Sequence, residues 1–88
     1  MATIEVSLID NNHFQVTVID QSTTSHHVTL QDQYANKLLK DNISRTALVK
    51  KSFEFLLQRE PNTSILRNFD LSVIANYFPE YEATINNC

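Results

Sequence analysis

The 88-residue sequence contains no glycine and no tryptophan, only two prolines and a single cysteine. Glycine-rich phosphate loops and dinucleotide-binding fingerprints need positions with positive φ or without a Cβ, so the absence of glycine excludes the standard nucleotide-binding motifs. The one cysteine is the last residue, Cys88, so no disulfide can form within the chain. We therefore expect no cofactor, and a fold that is stabilised by packing.

Positive charge is also scarce. Seven Lys and Arg stand against ten Asp and Glu, which gives a net charge of −3 at pH 7. Such a balance provides no electrostatic footprint for nucleic acid or for an anionic membrane. The sequence has no basic segment followed by an apolar leader, and no apolar run approaches the length that spans a bilayer. A cytoplasmic protein without a membrane segment is the expectation.

The longest segment with helical character runs from Ser44 to Glu60, SRTALVKKSFEFLLQRE. At 100° per residue its apolar side chains cover an arc of about 200°, roughly twice the stripe that faces a single core. This central helix is therefore predicted to lie between two layers, with Phe53 buried. Ser44 is a good N-cap, and Pro61 predicts that the helix ends near Arg59 or Glu60.

Three N-terminal segments alternate apolar and polar residues, over 4–8, 14–18 and 27–30. Alternation of this kind predicts a three-stranded antiparallel meander with one buried face. Residues 10–13, DNNH, supply a hairpin turn without glycine, because Asn tolerates the left-handed backbone region. Polar residues are expected on the outer face: Glu5, Ser7, Gln15, Thr17 and Thr29.

Helical spacing returns after the third strand, over residues 31–40. Beyond Pro61 we expect a short turn, a helix that Asp70 caps and that Phe69 helps to anchor, and a final helix after Pro79. The chain is interpreted as a single α+β domain over residues 1–88. The meander (residues 1–30) packs on the central helix, and shorter C-terminal helices complete the helical part (residues 31–88).

The second half of the sequence contains a distinctive set of short sequence motifs: Leu48-Val49, Ser52-Phe53, Phe55-Leu56-Leu57, Arg59-Glu60-Pro61, Ser64-Ile65-Leu66, Phe69-Asp70-Leu71 and Tyr77-Phe78-Pro79-Glu80-Tyr81. Together they resemble a family of short bacterial proteins of unknown function. The resemblance implies a compact α+β domain of bacterial type and supplies no catalytic or binding residue.

The histidines are the candidates for chemistry. His13 and His27 share the outward parity of the polar face, whereas adjacent His26 and His27 point to opposite faces of a strand. No cysteine or suitably spaced carboxylate completes a metal site, so we expect none. A run of hydroxyl residues at 22–25 lies beside the histidines, but no base, orienting carboxylate and oxyanion donors accompany it in the sequence. We expect no catalytic site.

Two functions remain open. The leading hypothesis is a non-catalytic protein-interaction module, possibly homodimeric, because the first strand has a single charge and no proline along an edge that could pair with a partner. The edge could instead be covered by the C-terminal segment of the chain itself. Interface residues would be Val6, Tyr77, Phe78 and Tyr81, with Tyr77 and Tyr81 in a partly wet interface and Phe78 as a buried anchor.

The alternative is a small nucleic-acid-binding or antitoxin-like regulator. Its contacts would come from the densest basic group, Lys40, Arg45, Lys50 and Lys51. The order of strands before helices faintly resembles ribbon-helix-helix regulators, which use one short strand per subunit. Three predicted strands fit that pattern poorly, and the lysines are more simply the solvated side of the central helix.

Overall fold

A computed structural model of the chain describes residues 2–38 and 44–86, so Lys40 lies outside the described residues. The fold is α+β, as the sequence predicts. Its elements are β1 (Thr3–Asp10), β2 (His13–Ile19), β3 (Thr23–Thr29), α1 (Asp32–Leu38), α2 (Arg45–Leu57), a 3-10 turn (Asn62–Ser64), β4 (Asn68–Asp70), α3 (Val73–Tyr77) and α4 (Tyr81–Asn86). Within the described ranges, no helix has the length and apolar composition needed to cross a bilayer.

The first three strands form the predicted antiparallel meander. Val6 pairs with Val16, and Val16 pairs with His26 on the next strand. The hairpin between β1 and β2 turns at Asn11 and Asn12 without glycine, as expected. Asn12 stabilises it, because its backbone N–H donates to Asp10 Oδ1 at 2.9 Å and its side chain donates to the carbonyl of Leu30 at 2.9 Å.

A fourth strand, β4, runs parallel to β3, and the sheet order is β1-β2-β3-β4. The sequence does not predict this strand, in which Phe69 pairs with Val28 and is buried at 8% exposure. The residue at the N-cap position of α3 is Ser72, two residues after the predicted cap Asp70. Asp70 does accept hydrogen bonds from Ser72, at the start of α3. One edge of the meander is thus covered by the chain's own C-terminal half.

Helix α2 contacts two layers through two phenylalanines. Phe53 is fully buried, as predicted, and its ring lies 5.3 Å from the ring of His26 in β3 and 6.0 Å from that of Phe69 in β4. Phe55 lies against the C-terminal helices, with ring distances of 5.8 Å to Phe78 and 5.3 Å to Tyr81. One side of the wide apolar arc of the helix thus packs on the sheet through Phe53, and another packs on the C-terminal segment through Phe55.

The ends of α2 follow the predicted signals. Ser44 Oγ accepts a hydrogen bond from the N–H of Ala47 at 3.1 Å, which makes Ser44 the N-cap. The regular helix ends at Leu57, slightly before the predicted end. The N–H groups of Arg59 and Glu60 still donate to the carbonyl of Leu56 at 2.9 Å, so the chain leaves the helix gradually ahead of Pro61.

Candidate interaction surfaces

The first candidate surface is the free edge of β1, the side of Thr3–Asp10 that faces away from β2. Among the described residues, β2 is the only strand that pairs with β1. Every second backbone N–H and C=O along such an edge lacks a partner within the sheet. Eight residues are available here, against three in β4 at the opposite edge. The free edge of β1 is therefore the longer template for another strand.

Apolar side chains accompany this edge on the face that α2 covers. Ile4 and Val6 are only half-buried there, and Leu8, in the same row, is 57% exposed. Leu8 faces Phe14 of β2 across the strand pair, and Phe14 is fully buried. The exposure of Leu8 differs from the inward position that its alternation with Ser7 predicts. Ile9, at an irregularity in the β1–β2 register, is 56% exposed as well.

Polar contacts hold the end of the edge in place. His13 Nδ1 lies 2.8 Å from Asp10 Oδ1, and the pKa of Asp10 is lowered first by the hydrogen bond from the Asn12 backbone and then by His13.

Arg45, at the start of α2, lies 2.9 Å from Asp32 and donates to the carbonyl of Asn11 at 3.0 Å. Both contacts involve the guanidinium group of Arg45, one of the residues predicted to contact nucleic acid. Of the other proposed contacts, Lys50 is exposed and Lys51 is half-buried.

The second candidate surface is a cleft of about 380 Å³ at the C-terminal side of α2. We call it the C-terminal cleft. Leu66 and Tyr77 are its most exposed large residues, at 48% and 68% exposure. Of the described residues that line the cleft, only Glu60 is charged; the lining comprises Leu56, Glu60, Ser64, Ile65, Leu66, Phe69, Val73, Ile74, Tyr77 and Phe78. Tyr77 and Phe78 are among the interface residues that the sequence predicts, whereas Leu66 is not.

Tyr81 is not at the surface, which corrects its predicted place in a wet interface. Its side chain is fully buried, and its hydroxyl lies 2.6 Å from Ser52 Oγ of α2. Ser52 donates its own proton to the carbonyl of Leu48, so Tyr81 is the donor in this pair. Burial raises the pKa of Tyr81 to about 12. Phe78 is half-buried, packs edge-on against Phe55, and remains part of the cleft wall.

Two of the three histidines meet on the outer face of the sheet. The rings of His13 and His27 stack with centroids 5.3 Å apart and an angle of 4° between their planes. His27 Nδ1 lies 3.3 Å from the Asn68 side-chain oxygen. In the described part of the chain, no three His, Cys, Asp or Glu side chains come together as metal ligands would.

The third histidine faces inward, as its parity predicts. His26 is 1% exposed, and its Nδ1 lies 2.7 Å from the carbonyl of Leu66, to which it donates. Its Nε2 therefore accepts from Thr24 Oγ1 at 2.8 Å. Asn62 in turn donates to Thr24 Oγ1 at 3.0 Å and to the carbonyl of Ser22 at 2.8 Å. This network resembles a hydroxyl–histidine pair of a catalytic site, but it is closed to substrate and ties the 3-10 turn to the sheet.

Comparisons of the chain with protein-family models, with curated proteins and with solved structures give no match. The resemblance of residues 48–81 to short bacterial proteins accordingly stays a prediction.

Proposed function

We propose that this protein is a non-catalytic protein-interaction module that associates with other chains, including copies of itself, by strand addition at the free edge of β1. In strand addition an extended segment continues an existing sheet, so main-chain hydrogen bonds supply affinity and alternate side chains supply specificity. The observation that carries the proposal is the length of the edge strand β1, which pairs only with β2 in the described part of the chain. β1 offers eight residues, TIEVSLID, with no proline and no lysine.

Natural sheets usually protect their edges. Very short edge strands, prolines, and charged residues, especially lysine, are the common devices. β4 uses the first device, since it is only three residues long. β1 is eight residues long and has neither proline nor lysine, and its only charged residues are Glu5 and, at its end, Asp10. An edge of this kind is suited to a partner strand.

Association would also cover the apolar row along β1. Leu8 is 57% exposed, while Ile4 and Val6 remain half-buried although α2 lies over the same face. Fully burying one leucine or isoleucine side chain stabilises by roughly 1.5–3 kcal/mol. Strand pairing at β1 therefore adds apolar burial to the main-chain hydrogen bonds.

Sedimentation equilibrium at micromolar concentration tests this function. We expect a dimer mass for the wild-type chain, and a shift toward the monomer for Leu8→Lys, because a charge enters the apolar row at the edge. Leu66→Lys is the matched control, since it makes the same change at a similarly exposed leucine in the C-terminal cleft. Far-UV circular dichroism checks that both variants remain folded.

The two variants also separate the surfaces. If Leu66→Lys dissociated the dimer and Leu8→Lys did not, the cleft would be the interface and the proposal for β1 would be wrong. If the wild-type chain stayed monomeric, the proposal that it self-associates would be wrong.

A further inference from the structure

We infer that the strand which joins β1 is β1 of a second copy, antiparallel, with the two Val6 residues paired across a two-fold axis, so that two four-stranded sheets become one sheet of eight strands. This inference rests on the proposed function and specifies the partner strand and its register.

The kind of contact follows from the two edges of the sheet. β1 could pair with β4 of a second copy, but β4 offers three residues and such a head-to-tail contact leaves a new free edge on every added copy. In a pairing of β1 with β1, each copy offers a strand of eight residues, and the assembly closes at two chains. Closed two-fold dimers are the commonest oligomers of soluble proteins.

Symmetry then limits the registers. Two identical antiparallel edge strands in one sheet are related by a two-fold axis perpendicular to that sheet, which keeps the helices of both copies on the same side. Because side chains alternate between the faces, a residue can then be opposite only to a residue that points to the same face. The axis must therefore pass through one residue paired with itself. Near the middle of β1 that residue is Glu5, Val6 or Ser7.

Side-chain chemistry favours the middle register. An axis at Glu5 places two carboxylates directly opposite each other, which destabilises a strand pair. An axis at Ser7 places Glu5 opposite Ile9 of the second copy and Ile4 opposite Asp10, so each charge meets an aliphatic side chain.

An axis at Val6 avoids both the facing carboxylates and the pairing of charged with aliphatic side chains. It pairs Ile4 with Leu8 of the second copy, so the exposed leucine is covered by the half-buried isoleucine. Glu5 meets Ser7 on the polar face. The paired span from Ile4 to Leu8 also ends before the irregularity in the β1–β2 register that follows Leu8. The paired span thus lies within the regular part of the strand, and no like charges face each other.

Cysteine cross-linking tests the register. In a Cys88→Ser background, which removes the only native thiol, Glu5→Cys and Ser7→Cys place single thiols on the exposed outer face. Directly opposite Cβ atoms lie about 4.5–5.5 Å apart, whereas diagonal neighbours lie about 7–8 Å apart. A disulfide needs about 3.5–4.5 Å, so small movements allow only the direct pairs to react. Gln15→Cys, exposed on the same face of β2, is the control one strand away from the edge.

The register at Val6 predicts disulfide-linked heterodimers when the Glu5→Cys and Ser7→Cys proteins are mixed and mildly oxidised. Each variant alone should give no more linked dimer than Gln15→Cys. Efficient self-linking of Glu5→Cys, or of Ser7→Cys, would place the axis at that residue and overturn the inference while the proposed function stands. A dimer by sedimentation with no linking above the control would also overturn it. A monomer by sedimentation would overturn both the inference and the self-association part of the proposed function, and would leave only strand addition with other proteins.

Discussion

His26 shows how one buried polar residue can be accommodated in a core of this size. Its ring sits against Phe53, and both nitrogens have partners: the carbonyl of Leu66 and the hydroxyl of Thr24. The donor at Nδ1 and the acceptor at Nε2 together fix the neutral tautomer. Burial lowers the pKa of His26 most strongly, the carbonyl of Leu66 opposes this effect, and the charge of Arg67 adds to the lowering.

This lowered pKa predicts a loss of stability in mild acid. Because the pKa of His26 in the folded state lies below its ordinary value of 6.5, the unfolded chain binds a proton more readily than the folded one as the pH falls through that value. The contribution of His26 to the free energy of unfolding is therefore present above pH 6.5, decreases below it, and becomes constant below the folded-state pKa.

Urea unfolding at about pH 7.5 and about pH 5.5 measures this effect, since the two values bracket the ordinary histidine pKa. We expect wild type and the control His27→Asn to lose stability between these conditions, and His26→Asn to lose clearly less. The same loss in all three proteins would mean that His26 is not the group that titrates.

The buried position of Tyr81 shows where residue-level prediction reaches its limit. Parity along β3 correctly placed His26 and His27 on opposite faces, because strand alternation is a local property. The polar tip of Tyr81 predicts a partly wet interface, yet Ser52 provides a buried hydrogen-bond partner 29 residues earlier in the chain. A partner at that separation is visible only once α4 and α2 are packed together.

At the scale of elements, α2 stabilises the fold through its contact with the sheet. Phe53 is fully buried and its ring approaches residues of both β3 and β4. Phe53→Ala should lower the free energy of unfolding by about 3–5 kcal/mol, because it removes the transfer energy of the ring and leaves a cavity. Denaturant unfolding provides the measurement.

Glu54→Ala is the matched control for this prediction, since Glu54 is the exposed neighbour on the same helix and its change should stay within about 0.5 kcal/mol. A loss below about 1 kcal/mol for Phe53→Ala would contradict the central position of this side chain.

The elements also differ in how well the sequence predicts them. The meander and α2 were predicted because each carries several periods of its own pattern, as in Ile4-Glu5-Val6-Ser7-Leu8. β4 was missed because three residues are too few to show alternation. Its extended conformation depends on parallel pairing with β3, seen in the bond from His27 N–H to the carbonyl of Arg67 at 2.7 Å. The sequence predicts that β1 is an edge strand. It does not predict that β4 pairs with β3 and so covers the opposite edge of the meander.

For the whole molecule, the distribution of positive charge separates the two function classes. The net charge is −3, and the proposed basic group does not form a continuous unpaired patch in the described residues, because Arg45 is held by Asp32 and Asn11. Lys50 and Lys51 remain on α2, next to Glu54. Each phosphate that a protein neutralises releases counterions, so a real DNA-binding face must lose affinity steeply as salt rises.

We therefore expect no binding of duplex DNA at physiological salt, as measured by fluorescence anisotropy of a labelled duplex titrated with the protein. Lys50→Glu combined with Lys51→Glu should leave this result unchanged, and so should Glu54→Lys, which adds a positive charge to the same stretch of helix. Binding that weakens with salt, is lost in the double variant and is strengthened by Glu54→Lys would instead identify α2 as a phosphate-binding face. In that case the regulator hypothesis would replace the interaction module, because no such response to charge is expected from an edge on β1.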